Sequence, residues 1–263
     1  MDYPEPNSSI SLEIVREDEE ILLVAKPSGL VSLPGVGHRS DSVQNGAMAH
    51  AGAALGRLGA SRDFGLLHRL DRGSSGLLLF AKTARAYDAL RDDFARRQIR
   101  KDYLAITRST PVRGEGILRQ SLSEIRLQDR KVSRLDPKGS PAVTHYRVRT
   151  RGTGGVALVE CRIETGRLHQ IRAHLSSIGA PLLGDLVYAR REPDGRASFG
   201  RKADREIFLH AWRLGFKHPA TGRDLLVELR PPSRFRLACE QYQMPMGGSG
   251  RRPSLQKPRK PRV

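Results

Sequence analysis

The most informative stretch of this sequence is His68-Arg69-Leu70-Asp71-Arg72-Gly73-Ser74-Ser75-Gly76, which leads directly into the apolar run Leu77-Leu78-Leu79-Phe80-Ala81. The run has the length and the flanking turn residues of a buried β-strand. Burying charged groups so close to a core strand destabilises the fold unless the groups are paired or serve a function. Asp71 is therefore either a loop carboxylate that pairs with a neighbouring arginine or caps the turn, or a functional carboxylate fixed at the end of a rigid strand. The spacing alone leaves both interpretations open.

The chain is long enough for a substantial core and is strongly basic. Its 263 residues suit one large domain or two small ones. Lysine and arginine number 46 against 28 acidic residues, which gives a formal charge of +18 and a pI near 10.8. Residues 1–20 hold seven acids and one arginine, whereas residues 251–263 hold six bases and no acid. This balance favours a polyanionic partner, nucleic acid before membrane.

Cysteine content and the lack of targeting segments indicate where in the cell the protein is found. Its two cysteines, Cys161 and Cys239, cannot form a disulfide framework or a zinc-type cluster, and they indicate a reducing environment. No apolar run approaches the length of a membrane span. The N-terminal residues lack the basic and apolar regions of a signal peptide. We therefore expect a cytoplasmic protein that does not associate with membranes.

Periodicity and turn residues predict a strand-rich order of elements. Residues 1–10 are expected to form a flexible leader, and residues 244–263 a basic disordered tail. Helices are predicted at about 46–58 and from Thr83, as N-cap, to about residue 97. A poorly patterned, basic stretch with many Gly and Pro residues predicts hairpins and loops over 108–141, and the lack of periodicity predicts an exposed loop over 190–205. Strand patterns occur at 12–15, 21–25, 99–106, 142–149, 156–164, 206–212 and 225–229.

The strand predicted at residues 99–106 has two different faces. Leu104 and Ile106 share one face, and the period of two places Tyr103 on the other face with Lys101. A tyrosine in this position is more often an ordinary sheet residue. It can also be a stacking or hydrogen-bonding platform beside Lys101.

A second charged cluster follows the strand that ends at Glu164, and it consists of Thr165-Gly166-Arg167-Leu168-His169-Gln170-Ile171-Arg172-Ala173-His174-Leu175. It predicts a turn followed by a helix that ends at Gly179. Helical geometry places Arg172 at the edge of the apolar stripe rather than on the open face. A guanidinium in that position either pairs with a carboxylate or extends along the helix to solvent.

The histidines of this cluster do not indicate a metal site. His169 and His174 lie too far apart around a helix to share a metal ion. Arg167 and His169 are instead placed to face phosphate near the helix start.

Together the two clusters resemble the RluA/RsuA-type pseudouridine synthases, enzymes that isomerise uridine in structured RNA. The family signature H-R-L-D-x-x-[TS]-S-G-L-L-L-x-A-K is matched by His68 to Lys82, and G-R-x-H-Q-I-R-x-H by Gly166 to His174. The next motif, G-x-P-x-x-G-D-x-x-Y, is matched by Gly179 to Tyr188, with shorter matches at Lys26 to Leu30 and Lys101 to Tyr103. The similarity extends over nearly the whole chain.

The resemblance implies roles for individual residues. Asp71 corresponds to the family's essential aspartate, Tyr103 to the tyrosine that packs against the target base, and Arg172 to the basic residue that pairs with the aspartate. Arg69 corresponds to the arginine that helps to occupy the position vacated by the flipped uridine. The residues expected to contact RNA are Arg69, Arg72, Lys101, Arg167 and His169.

The sequence departs from the family pattern at two positions in the first signature. Threonine is usual where Ser74 stands, and an acidic or polar residue is common where Gly73 stands. Ser74 keeps a hydroxyl group, so the departures are expected to alter the stiffness of the loop rather than to abolish activity.

The resemblance also implies an α+β fold over residues 11–243, in which helices flank a long, mixed, mostly antiparallel bent sheet with an active cleft across its middle. The S4-type RNA-binding domain of larger members is expected to be absent, since only about ten residues precede the first predicted strand. The implied reaction cuts the C1′–N1 bond of uridine, turns the base and rejoins it through C5. Neither a cofactor nor a metal ion is therefore expected. The implied partner is ribosomal or transfer RNA, bound by a monomer.

Two other classes of function stay open. One is an RNA-binding or chaperone protein on the same scaffold that has lost its chemistry, against which the joint presence of Asp71, Tyr103 and Arg172 argues. The other is a glycosidase or base-excising hydrolase, which would need a second acid near the first. Glu164 and Asp185 are the nearest candidates for that acid.

Overall fold

The structure is a computed structural model and describes residues 3–127, 130–189 and 207–246. Two sequence-based expectations fall outside the described residues. They are the exposed loop at 190–205 and the part of the basic tail beyond residue 246.

A long sheet forms the frame of the molecule, and a separate hairpin lies beside it. The strands of the sheet are β1 (Glu13–Glu17), β2 (Ile21–Lys26), β3 (Ser75–Ala81), β4 (Arg100–Thr107), β5 (Glu115–Arg119), β8 (Val143–Arg151), β9 (Ala157–Ile163), β10 (Leu209–Lys217) and β11 (Asp224–Glu228). The hairpin consists of β6 (Leu122–Leu127) and β7 (Arg130–Leu135).

The order of the strands brings distant parts of the sequence together. Neighbours in the sheet follow the order β1-β2-β3-β10-β4-β9-β8-β5, and β11 pairs with β10. These pairings are antiparallel, except that β10 runs parallel to β3 with His210 opposite Ser75. The mixed, mostly antiparallel sheet implied by the resemblance is therefore confirmed.

Four helices are present in the described residues, namely α1 (Val43–Leu58), α2 (Ala84–Ala95), α3 (Gln170–Ser177) and α4 (Ser233–Gln241). The first three confirm the helices predicted from periodicity. Thr83 caps α2 as expected, because its hydroxyl oxygen accepts a hydrogen bond from the Ala86 amide at 3.1 Å. α4 was not predicted. Its Phe235 and Cys239 cover the face of β4 that carries Leu104 and Ile106.

β3 is the central element of the core. Every residue of this strand is buried, as its uninterrupted apolar run predicts for a strand covered on both faces. Leu78 and Phe80 pack in the cluster that includes α1, whereas Leu77 and Leu79 pack in the cluster that includes α2. The strand is therefore a rigid support for the loop that precedes it.

The two ends of the described chain are more ordered than the sequence indicated. Residues 3–10, expected to form a loose leader, lie against the folded domain. The Tyr3 ring meets the Phe64 ring edge-on at 5.6 Å, and the Asn7 side chain donates to the Ser40 carbonyl at 2.7 Å. At the other end, Met244, where the tail was expected to begin, is buried. The apolar contacts of these residues explain the difference, since they bury surface that a loose segment would expose.

Candidate active site

A cleft of about 630 Å³ crosses the sheet between the two charged clusters. Seven of the eight site residues proposed from the sequence line it, and they are Arg69, Asp71, Lys101, Tyr103, Arg167, His169 and Arg172. The eighth, Arg72, does not line the cleft. Its Nε donates instead to the Gly29 carbonyl at 2.9 Å. The expectation that Arg72 contacts RNA therefore has no support from its position, because the guanidinium is engaged with a neighbouring loop.

The loop that carries Asp71 is held from below by a buried lysine. The Lys26 ammonium donates to the carbonyls of Pro27 at 2.9 Å, Arg72 at 3.2 Å and Ser74 at 2.6 Å. Burial lowers the pKa of Lys26 to about 7, although the negative charge of Asp71 opposes that shift. Lys26 therefore ties the end of β2 to the loop. Sequence reasoning treated this residue as part of a strand end, although its place in a family motif was a signal.

The residues that follow Lys26 complete the attachment of this loop. The Ser28 hydroxyl donates to the Gly73 carbonyl at 2.7 Å, and the Gly29 amide donates to the Arg72 carbonyl at 2.8 Å. With Lys26, these bonds satisfy the carbonyls of all three residues after Asp71. A loop whose polar groups are all paired stays in one conformation.

The start of β3 is fixed from the other side by β10. Gly76 has φ +128°, and a Cβ added there would lie 2.4 Å from the Ala211 carbonyl oxygen, so only glycine permits this approach. His210 lies next to it, with its Nδ1 2.9 Å from the Ser75 hydroxyl and its Nε2 3.1 Å from the Leu229 carbonyl. Burial lowers the pKa of His210 to about 4. The neutral ring therefore accepts from Ser75 and donates to Leu229.

Arg172 interacts with two carboxylates. Its Nε and Nη2 donate to the two Asp185 oxygens at 2.6 Å and 2.9 Å, whereas its Nη1 is 3.5 Å from Asp71 Oδ2. The two bonds to Asp185 form a bidentate pair, which is the stronger geometry. The sequence analysis predicted Asp71 as the partner of Arg172, whereas the main partner in the structure is Asp185. Asp185 was not predicted in this role, because nothing in the sequence shows that it lies opposite the helix.

The charge of Arg172 is fixed by these contacts. Burial alone would lower its pKa, but the hydrogen bonds that Arg172 donates to Asp185, together with the charges of Asp185 and Asp71, outweigh that effect and raise it. Asp71 keeps about a fifth of its side-chain surface exposed, whereas Asp185 is fully covered. Asp71 is thus the carboxylate of this group that a ligand in the cleft can reach.

Tyr103 forms part of the cleft floor. It is buried on the face of β4 opposite to Leu104, as the strand period predicted. Burial, and then the negative charges of Asp71 and Asp102, raise the pKa of its hydroxyl far above the usual range. Tyr103 therefore presents a neutral phenol ring close to Asp71.

His169 lies at the start of α3 and is positioned by Tyr188. Its backbone is left-handed, with φ 50°, a conformation that is uncommon outside glycine. The Ser133 amide donates to the Tyr188 hydroxyl at 2.8 Å, and that hydroxyl lies 3.1 Å from His169 Nδ1. Burial is the main cause of a lowered pKa of His169. A neutral ring that accepts from Tyr188 at Nδ1 carries its proton on Nε2.

A second acid beside Asp71 is not free to act. Glu164 lines the cleft, but its Oε1 lies 2.6 Å from His145 Nε2. Asp185 is occupied by Arg172 and by the amide of Val187 at 3.0 Å. Neither of the two acids suggested by the sequence is therefore available as the second carboxyl group that a glycoside hydrolase uses.

The described parts of the chain contain neither a metal-type cluster nor a membrane-spanning helix. No group of three or more His, Cys, Asp or Glu residues there could hold a metal ion. No helix there is both long and apolar enough to pass through a bilayer.

Comparison with known proteins identifies related chains. The sequence model of a family described as RNA pseudouridylate synthase matches residues 20–177. Ribosomal large subunit pseudouridine synthase D of Zymomonas mobilis is 38% identical over 229 residues, which cover 87% of this chain and 72% of that protein. The uncharacterized RNA pseudouridine synthase YlyB of Bacillus subtilis is 36% identical over 235 residues, covering 87% of this chain and 73% of that protein.

A solved structure shares the fold. The structure of human RNA pseudouridylate synthase domain containing 4 superposes with a TM-score of 0.67 over 88% of this chain and 93% of that chain, at 24% identity. The expected resemblance and the observed fold therefore agree.

Proposed function

This chain belongs to the RNA pseudouridylate synthase family, and we propose that it converts specific uridines of large-subunit ribosomal RNA to pseudouridine, with Asp71 as the essential carboxylate. The observation that carries the proposal is the position of Asp71, which is held at the end of β3, faces the cleft and lies 3.5 Å from Arg172. The substrate is chosen over transfer RNA because several of the relatives are named as synthases of the large ribosomal subunit.

The proposed chemistry requires one ionised carboxylate at the ribose. The C1′–N1 bond breaks, the base turns, and a C5–C1′ bond forms, with no net gain or loss of atoms. Asp71 acts either as the nucleophile at C1′ or as the base that removes a proton from C2′, and in both cases it offsets the positive charge that develops on the sugar. Arg172 orients this carboxylate through the contact of 3.5 Å and places a positive charge beside it.

The target uridine must leave its stack to reach Asp71. Extrusion of a base costs a few kcal/mol, which contacts in a pocket can offset. Tyr103 lines the floor of the cleft and provides an aromatic surface for the extruded base. Arg69 lines the same cleft with an exposed side chain and is proposed to occupy the vacated position in the RNA.

The cations around the cleft are proposed to bind the RNA backbone. Arg167 is exposed at the cleft, and its charge and that of Arg69 are available to phosphates. The chain's net charge of +18 supports the same interaction. Such contacts give an affinity that decreases as the salt concentration rises.

The remaining parts of the proposal concern organisation. We propose that residues 11–243 form the catalytic domain, and that the protein acts in the cytoplasm as a monomer. The flipped base and the ribose stay bound between the two bond changes, so the proposed reaction needs neither a cofactor nor a metal ion.

The experiment compares two aspartate-to-asparagine variants. Large-subunit ribosomal RNA transcripts made with 5-³H-uridine release tritium when the C5 position is substituted. Asp71→Asn is expected to fold and to bind this RNA but to release no tritium above background. The control Asp224→Asn changes a surface carboxylate paired with Lys217, and it is expected to match the wild type.

Three results would contradict the proposal. Normal tritium release by Asp71→Asn would remove that residue from the chemistry. Release from transfer RNA but not from ribosomal RNA by the wild type would reassign the substrate. Binding without release by the wild type on either RNA would favour a binding protein that has lost its chemistry.

A further inference from the structure

Lys101 is a half-buried cation of the cleft that has no ionic partner among the described residues. Its ammonium lies 5.7 Å from the centre of the Phe94 ring, and no described carboxylate forms an ion pair with it. The charged residue that affects the pKa of Lys101 is Arg97, a like charge just after the end of α2. Lys26, the other lysine at this site, is by contrast satisfied by three carbonyls.

The environment of Lys101 is unfavourable for its charge. Burial, and then repulsion by Arg97, lower the pKa of Lys101 to about 8. A cation that has lost water without gaining a counter-ion is destabilised until an anion arrives. The site is therefore prepared for a group that becomes negatively charged in the cleft.

The position of Lys101 favours a contact with the base of the nucleotide over a contact with its phosphates. Lys101 and Tyr103 are two residues apart on the same face of β4, which separates their backbones by about 7 Å. Gly166 borders the ammonium, and a Cβ added at Gly166 would lie 3.9 Å from Nζ, so the missing side chain leaves this approach open. The phosphates of an extruded nucleotide remain with the RNA backbone, where the exposed guanidinium of Arg167 lies.

We propose that Lys101 is a catalytic residue that donates a hydrogen bond to a carbonyl oxygen of the detached uracil and stabilises its negative charge. The inference rests on the proposed function. When the C1′–N1 bond breaks, its electron pair leaves with the base and is shared between N1 and the carbonyl oxygens. When C5 bonds to C1′, the C5 proton is lost and N1 gains a proton. Lys101 stays protonated throughout, so it acts by charge alone.

The test separates a contact to the base from a contact to phosphate. Lys101→Met, Lys101→Arg and the comparison variant Arg167→Gln are assayed for single-turnover tritium release from 5-³H-uridine ribosomal RNA, and for RNA affinity at several salt concentrations. Lys101→Met is expected to slow the single turnover by about 100- to 1,000-fold, as loss of one oxyanion donor does, with unchanged affinity and salt slope. Arg167→Gln is expected to weaken RNA binding and to reduce the salt slope by about one. Lys217→Met, which removes an exposed lysine paired with Asp224 outside the cleft, is expected to keep the wild-type rate.

Lys101→Arg provides a second, independent readout. In the wild type, kcat/KM is expected to fall above about pH 8, as Lys101 loses its proton. An arginine stays charged, so this fall is expected to be absent in Lys101→Arg. Lys26, whose pKa is about 7, also loses its proton in this range, but it is present in both the wild type and Lys101→Arg and so causes no difference between them. The pKa of His68 is lowered to about 3 by burial, that of Tyr103 is raised far above this range, and that of Arg172 is raised by Asp185 and Asp71.

Each alternative outcome is distinct. A normal single-turnover rate in Lys101→Met, with weaker RNA binding and a smaller salt slope, would make Lys101 a phosphate contact and overturn the inference. If Lys101→Met does not fold, a fall above pH 8 in Lys101→Arg that equals the wild-type fall would overturn it instead. An inactive wild type would overturn the proposed function itself, and this inference with it.

Discussion

Arg172 holds Asp185 more tightly than it holds Asp71. The two bonds to Asp185 are 2.6 Å and 2.9 Å long, and the contact to Asp71 is 3.5 Å. The buried Asp185 therefore fixes the guanidinium in place, and the partly exposed Asp71 is accessible to a ligand in the cleft. This division of roles has a direct consequence for stability.

The asparagine variants at these two positions are expected to differ in stability. Asp185→Asn leaves a buried guanidinium without its main partner, which should lower the free energy of unfolding by about 3–5 kcal/mol. Asp71→Asn removes a long contact from a partly exposed group and should change it by less than about 1 kcal/mol. Urea denaturation of both variants, with Asp224→Asn as the surface control, measures the difference. Equal losses would show that Asp71 is the structural partner after all.

Lys26→Met is expected to loosen the loop that carries Asp71. The change leaves the carbonyls of Pro27, Arg72 and Ser74 without their buried donor, which should destabilise the protein by about 1–3 kcal/mol. A catalytic group displaced by about 1 Å can lose about 100-fold in rate. Tritium release should therefore fall by that order while RNA affinity is kept. Hydrogen exchange at the amide of Ser74 measures the loop directly.

The matched control for this experiment is Lys217→Met, which removes an exposed lysine paired with Asp224. It is expected to change neither the rate nor the exchange. A Lys26→Met protein with a normal rate and a protected Ser74 amide would show that the loop is held without the lysine.

The buried His210 is expected to make the protein sensitive to acid. Burial lowers its pKa to about 4 from the usual 6.5, so the unfolded chain binds a proton in this range before the native chain does. The free energy of unfolding should therefore fall as the pH decreases from about 6.5 towards 4, and it should gain nothing from His210 above that range. His210→Gln should reduce this dependence on pH. Urea denaturation at several pH values between 7 and 5 measures it.

His50→Gln is the control for His210→Gln, because His50 is largely exposed and paired with Glu17 at the surface. Its pH dependence should stay close to that of the wild type. If His210→Gln kept the full slope while its fold was intact, the acid sensitivity would belong to other groups.

Gly76→Ala is expected to separate β3 from β10. The added methyl group would meet the Ala211 backbone at 2.4 Å, and the φ of +128° is unfavourable for alanine. We expect a loss of more than about 3 kcal/mol in the free energy of unfolding, because neither strand can move without breaking the sheet. Gly114→Ala is the control, since a Cβ there meets no atom within 4 Å. Thermal denaturation of both variants compares them, and similar melting temperatures would contradict the expectation.

The elements that follow local rules were predictable from the sequence. The buried strand β3 is an uninterrupted apolar run between turns, and α2 begins at a threonine that caps it. The two faces of β4 also follow from a period of two, which places Tyr103 and Leu104 on opposite sides. In each case the interactions that determine the element lie within a few residues of one another, so the local sequence pattern predicts it.

The partners that lie far apart along the chain were less predictable. The proximity of Asp71 and Arg172 was expected only from the family resemblance, because 101 residues separate them. The bidentate role of Asp185 was not predicted, because it depends on how the turn after α3 folds back. Arg72 was expected to contact RNA because it flanks Asp71, but its side chain turns towards Gly29. Sequence spacing does not define the direction of a loop side chain.

The parallel pairing of β3 with β10 also affects the order in which the protein is made. Ser75 is joined to His210, a residue that the ribosome adds 135 positions later. Until β10 has left the ribosome, the segment that carries Asp71 lacks its contacts with that strand. Contacts between residues so distant in sequence form late in folding. A nascent or prematurely terminated chain that lacks β10 therefore exposes the Asp71 loop without the strand that fixes the start of β3.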